Sequence, residues 1–128
     1  MAITVRKEHR LGEPLYWVDE DQIRQRDRSG PVLFHFNKDL VRRRDRFGER
    51  LYFFHGNNVR AGDRMAPVIA WFDEDEVRDR HMGTREFFWD GDTLKRGDRS
   101  GPELLQSERK GLPAWAWVTL ALELRSEG

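Results

Sequence analysis

From Leu15 onward a short apolar or aromatic run returns every 18 residues: Leu15-Tyr16-Trp17-Val18, Leu33-Phe34-His35-Phe36, Leu51-Tyr52-Phe53-Phe54 and Ile69-Ala70-Trp71-Phe72, with Phe87-Phe88-Trp89 closing the series. Runs of this length, rich in aromatic residues and bounded by turn formers, read as strands. A polar cluster follows each one, as in Asp19-Glu20-Asp21, Asn37-Lys38-Asp39, His55-Gly56-Asn57, Asp73-Glu74-Asp75-Glu76 and Asp90-Gly91-Asp92. Asp, Asn and Gly tolerate tight turns, so these clusters are expected at hairpin tips. The chain then restarts at Ile23, Val41, Val59, Val77 and Leu94 and runs through an Arg-x-x-Asp-Arg element to a Gly or Pro. Strand alternation puts Ile23, Gln25 and Asp27 on one face and Arg24, Arg26 and Arg28 on the other. Each unit is therefore expected to be a β-hairpin. A left-handed β-helix has a coil of similar length, but its corners favour small residues, which these aromatic-heavy units lack.

The pattern extends to both ends as half-units. Val5, Arg6, His9, Arg10 and Gly12 match Ile23, Arg24, Asp27, Arg28 and Gly30, while Leu104-Leu105 begin a further first half that fades by Gly111. The expected fold class is thus all-β, a meander of five full hairpin repeats between two halves, with one short C-terminal helix. Pairing the two halves would close the meander into a barrel or ring without a free edge; the test is whether the backbone around Val5 bonds to that around Leu105. Two departures stand out. Unit four has His81-Met82 in place of Asp-Arg and Thr84 where most units have Gly, and unit five reaches Leu94 early, as if one residue were missing from its first turn. Repeat arrays bend, cap or bind where a unit departs from consensus, so unit four is the first place to look for something besides structure.

Residues 112–124 differ from the repeats, and the sequence divides into a hairpin domain over 1–106 and a linker with an apolar segment over 107–128. Pro113 suits a first helical turn and the Ala and Leu that follow favour helix, although Ala116, Val118, Leu120, Leu122 and Leu124 also alternate. A helix apolar all round must be buried. It is expected to plug a barrel or to join two subunits, and a homodimer through this segment is the expected assembly.

The chain has 128 residues, a formal net charge of zero, 36% charged residues and no cysteine. The length fits one domain, the missing cysteines remove disulfides and thiolate sites, and the balanced charge argues against nucleic acid as a partner. No apolar run is long enough to span a bilayer and no secretory leader is evident, so a cytoplasmic protein is expected.

Arginine far outnumbers lysine, which favours stacking and bidentate pairing. The expected ladder has Asp27, Asp45, Asp63 and Asp98 bonding arginines or turn amides, with Arg24, Arg42, Arg60 and Arg78 laid across aromatic rings. A row of those arginines could instead hold phosphates or polyanions. Trp17, His35, Phe53, Trp71 and Trp89 recur at one position and could form a stacking platform for sugars. With His81 they complete the candidate binding surface. The acidic tips match no calcium loop, and the histidines share no metal-ligand spacing; His9 and His81 occupy the Asp slot of the repeat. No nucleophile with a base, phosphate loop or paired carboxylates is recognisable, so a non-enzymatic protein without a cofactor is expected.

Asp27-Arg28-Ser29-Gly30 leading into Leu33-Phe34, Asp45-Arg46-Phe47-Gly48 leading into Leu51-Tyr52, and Trp89-Asp90-Gly91 resemble the YD or RHS-type β-hairpin repeats of bacterial toxin shells and cell-surface proteins. The tyrosine-aspartate pair of that family is mostly missing here. The resemblance spans about residues 3 to 105 and implies a structural shell or binding surface. The functional expectation is a module for protein interaction or scaffolding, with a lectin-like glycan binder and a polyanion binder as the other two readings.

Overall fold

A computed structural model of the chain describes residues 2–9 and 11–127, with side chains through 125. Arg10, which the repeat alignment matches to Arg28, lies outside the described residues. The elements in chain order are β1 (Ile3–Lys7), β2 (Pro14–Val18), β3 (Gln22–Gln25), β4 (Val32–Asn37), β5 (Leu40–Arg43), β6 (Arg50–His55), β7 (Asn58–Arg60), β8 (Val68–Phe72), β9 (Glu76–Arg78), β10 (Arg85–Asp90), β11 (Thr93–Arg96), β12 (Glu103–Ser107) and α1 (Ala114–Glu127).

Every strand pairs antiparallel with its sequence neighbours, and β12 pairs with β1, which closes the sheet into a barrel. At the seam Val5 faces Ser107 and Lys7 faces Leu105, and the Glu108 amide donates to the Thr4 carbonyl at 2.8 Å. The two half-units therefore meet as the sequence anticipates. Closure leaves no unpaired strand edge.

Strand alternation turns one set of apolar residues inward. Val18 pairs with Ile23, Ile23 with Phe34, Val41 with Tyr52, Val59 with Ala70, Val77 with Phe87 and Leu94 with Leu105, so each hairpin hands its core residue to the next. Val5, Ile23, Val41, Val59, Val77 and Leu94 are all fully buried. A barrel of about eight strands is just filled by its own side chains, and twelve leave a wider lumen. The helix α1 supplies the missing filling. Trp117, Val118, Leu120, Ala121 and Leu122 are each 1% exposed or less, and the ring of Trp115 stacks on Phe36 from β4 while Trp117 stacks on Trp89 from β10. The same apolar surface was expected to serve a dimer. Because it is consumed inside the barrel, the expected homodimer loses the seam on which it depended.

Pairing slips by one residue at each repeat's Arg or Lys, for example between Ile23 and Arg24 or between Val41 and Arg42. Such bulges increase twist and bend the sheet, and one per repeat gives the even curvature a closed barrel needs. The bulged residues Leu15, Leu33, Leu51, Ile69 and Leu104 pack against the core from the rim.

The register also corrects the reading of units four and five. Arg24 pairs with Val32, Arg42 with Arg50 and Arg60 with Val68, whereas Arg78 pairs with Arg85, one residue sooner. The missing residue thus belongs to the second turn of unit four, not to the first turn of unit five. Gly83, rather than Thr84, holds the glycine place, and Phe87 and Trp89 face the lumen while Phe88 faces out. Trp89 therefore does not share the face of Trp17 and Trp71.

An up-and-down barrel sorts its turns by end. One end carries the acidic first turns, including Asp19-Glu20-Asp21, Asp73-Glu74-Asp75 and Asp90-Gly91-Asp92, and the other carries the arginine-rich second turns. The helix enters from the acidic end, with Trp115 beside Val18 and Asp19, and finishes at the basic end, with Leu124 beside Leu15 and Leu104. Its macrodipole, positive at the N-terminus, thereby matches the charge of both ends.

Candidate functional site

Units one to four spend their first arginine on their own second turn, and in unit five Lys95 takes that place and donates to the Arg99 carbonyl at 3.0 Å. Nη1 of Arg24 donates to the Gly30 carbonyl at 3.0 Å, Arg42 to Gly48 at 3.1 Å, Arg60 to Ala66 at 2.8 Å and Arg78 to Gly83 at 2.7 Å. Arg6 does the same for Gly12 at 3.3 Å. The aspartates of the element accept the amide two residues on, from Ser29, Phe47, Met65 and Ser100, each at 2.9 Å. His9 fills that slot as an imidazole can, its Nδ1 accepting the Leu11 amide at 3.2 Å. His81 does not, because the missing residue puts Arg80 in the slot; its ring lies instead against Trp71, centroids 5.1 Å apart.

Arg24, Arg42, Arg60 and Arg78 stand cross-strand from Trp17, His35, Phe53 and Trp71 on the outer wall. The guanidinium groups found over rings are others: Arg46 on Phe47, Arg96 on Phe87 and Arg99 on Phe88. Trp17 on β2 and Trp71 on β8 occupy opposite sides of the ring of strands, and Trp89 is stacked inside. The three tryptophans thus share no platform.

Three members of the expected surface do come together. His35, Arg42 and Phe53 line a groove of about 490 Å³ across the outer wall from β4 to β7, where Lys38, Arg46, Arg50 and Arg64 join them. The last four were missed in the sequence. A signal was available for Arg50, which stands where the sibling units have Val32 and Val68 and so adds a charge to an otherwise apolar position.

Arg42 and Arg50 are cross-strand partners, and like charges set opposite each other repel. The confrontation recurs between Arg78 and Arg85, where it is resolved from within. Glu76, 8% exposed, accepts from Nε of Arg78 at 3.0 and 3.1 Å and from Nε of Arg85 at 3.1 Å. On β5 the equivalent place belongs to Leu40, which pairs with Phe53 as Glu76 pairs with Phe88. Among the described residues no carboxylate forms an ion pair with Arg42 or Arg50. The one acidic group among the described residues lining the groove, Asp63, already caps the Met65 amide.

The groove therefore offers several guanidinium groups without their counter-charge and a flat apolar wall in Phe53, beside the His35 imidazole, whose Nε2 lies 3.7 Å from Asp21 Oδ2 and whose Nδ1 is buried. Guanidinium forks match the oxygens of phosphate and carboxylate, and aromatic faces accept planar groups. Comparison of the chain with protein-family models, with curated proteins and with solved structures finds no match.

Proposed function

We propose that this protein is a binding module that captures a phosphate-bearing ligand in the groove between β4 and β7. The observation that carries the reading is the Arg42 and Arg50 pair, built like the Arg78 and Arg85 pair but with Leu40 where the latter has Glu76. A phosphate seated between the two guanidinium groups would play the part of the Glu76 carboxylate. Arg46, Arg64 and Lys38 would extend the positive field to further phosphates, and Phe53 would receive a ring or sugar attached to them. The architecture supports a binding role, since a closed barrel plugged by its own helix is a rigid frame on which an outer-wall groove is held in shape.

Calorimetric titration with inorganic tripolyphosphate tests the reading. The parent protein is expected to bind, more weakly as salt rises. Arg50→Ala and Leu40→Glu are each expected to weaken binding by about tenfold or more, the second by installing the carboxylate that unit four already has. Equal affinity in the parent and both variants, each with an unchanged melting temperature, sinks the proposal.

A further inference from the structure

The six second turns crowd one end of the barrel, and their outermost position follows a pattern that the groove does not explain. Leu11, Ser29, Phe47, Met65, Met82 and Ser100 occupy equivalent places at the turn tips. The four apolar members are 89%, 81%, 87% and 85% exposed in chain order. They are the large hydrophobic side chains most open to solvent among the described residues, and the topology sets all of them on a single rim. Isolated exposed apolar residues need no explanation, but a ring of them at one end does.

Their surroundings name the occupant. Arg46 and Arg64 immediately precede Phe47 and Met65, Arg28 and Arg99 precede the two serine tips, and Arg26, Arg44 and Arg80 stand in the same turns; each turn also carries a carboxylate, and it is Lys7, Arg43, Arg50, Arg60 and Arg96 at the adjoining strand ends that make this rim positive on balance. Apolar tips set in arginine suit an anionic lipid surface, where the side chains enter the headgroup boundary and the guanidinium groups meet phosphates. The opposite end carries the acidic turns, so the field of the whole molecule would turn the basic rim toward such a surface and the acidic rim away. A folded nucleic acid would answer the arginines but leave the tips without a role.

We propose that the second-turn rim docks peripherally on anionic membranes, with Leu11, Phe47, Met65 and Met82 inserted among the headgroups. The inference stands on the apolar tips, which take no part in lining the groove, although Arg46 and Arg64 border both surfaces. Serine already occupies two of the six tips, so replacing the other four with serine is compatible with the fold.

Sedimentation with phosphatidylcholine vesicles, with and without phosphatidylserine, tests the proposal. The protein is expected to sediment with the anionic vesicles and to remain in solution with the neutral ones. The variant Leu11→Ser/Phe47→Ser/Met65→Ser/Met82→Ser is expected to lose affinity by about tenfold or more at an unchanged melting temperature. In a second experiment Phe47→Trp adds a reporter to the five native tryptophans, and its emission after subtraction of the parent's is expected to shift to the blue on anionic vesicles. Failure to sediment with phosphatidylserine overturns the proposal. So does full binding by the serine variant, the result expected if the arginines alone attract any polyanion, and so does an unshifted Phe47→Trp emission in a bound protein.

Discussion

The Tyr52 hydroxyl donates to Glu123 Oε2 at 2.7 Å, tying the barrel wall to the last turns of the helix that fills it. Two residues on, Arg125 donates to the Ile69 carbonyl at 3.1 Å and forms an ion pair with Glu86 at 3.2 Å. Strands β6, β8 and β10 thus hold one end of α1. Phe36 and Trp89 hold the other, stacking on Trp115 and Trp117 at centroid distances of 4.7 and 6.4 Å. A featureless apolar cylinder could slide or rotate in its sleeve; these contacts select one depth and one rotation. Glu86 is available only because unit four is a residue short, which puts it where its siblings have Leu or Ile.

Tyr52→Phe is expected to lower stability by about 1.5–3 kcal/mol at neutral pH, the usual effect of losing a hydrogen bond to a charged group. Burial first, and then the bond to Glu123, hold the Tyr52 phenol well above its ordinary value of 10.0. The unfolded chain therefore loses this proton at lower pH than the folded one, so the contribution is complete below that ordinary value and declines as pH rises through it. Denaturant titrations of parent and variant should show their difference shrinking above about pH 10. A difference that stays constant would remove the phenol from the account.

The tryptophans divide by position rather than by type. Trp117 is 1% and Trp89 is 7% exposed, stacked on each other in the lumen, whereas Trp17 lies on the outer wall. Trp117→Ala and Trp89→Ala are each expected to cost about 3–5 kcal/mol, by the cavity they leave. Trp17→Ala, at a half-buried position, should cost about 1 kcal/mol, near the centre of the range for single substitutions. Equal losses for Trp17 and Trp89, measured by denaturant unfolding, would contradict the register of unit five.

The hairpin repeat, the two half-units and their closure could be read from spacing, because strand alternation and a fixed period are local properties. The inward column Val5, Ile23, Val41, Val59, Val77 and Leu94 follows from them. Where one residue was lost could not be read. A gap in a degenerate turn can be placed on either side of a strand, and only cross-strand partners show that Arg78 meets Arg85 early. That ambiguity reversed the facing of Trp89 and misplaced His81. The charge distribution was hidden for another reason: a net charge of zero is a sum, and a meander that sends alternate turns to opposite ends separates its parts. The groove depends on Leu40 standing in the place of Glu76, a difference that becomes informative only once both positions are known to lie beside paired arginines.

Glu76 is the internal control for the groove, and its removal should be felt. With its side chain 11% exposed between Arg78 and Arg85, Glu76→Gln is expected to destabilise the protein by about 1–3 kcal/mol. Glu76→Leu reproduces the arrangement at Leu40 and should create a second site for tripolyphosphate four strands round the wall, seen as an increase in calorimetric stoichiometry. Loss of stability without the added site would detach the Arg42 and Arg50 argument from its template.

The second turns differ in how tightly they close, and unit three shows what relaxes them. A Cβ on Gly48 would lie 1.6 Å from the Arg43 carbonyl oxygen, with similar conflicts of 1.8 Å at Gly30 and 1.7 Å at Gly101. Unit three nevertheless carries Ala66 in this place. It also carries Gly62, at a φ of 100°, where unit two has Arg44 at 69°. A side chain in the left-handed region costs about 1–2 kcal/mol and resists further widening of φ, and glycine does neither. Gly48→Ala is therefore expected to destabilise the protein by about 2 kcal/mol or more. Arg44→Gly/Gly48→Ala, which copies the unit-three combination into unit two, should recover part of that loss. The two changes are in one turn and should not add; a double-mutant cycle by thermal unfolding that shows strict additivity would mean that the width of φ at residue 44 has no bearing on the glycine four residues later.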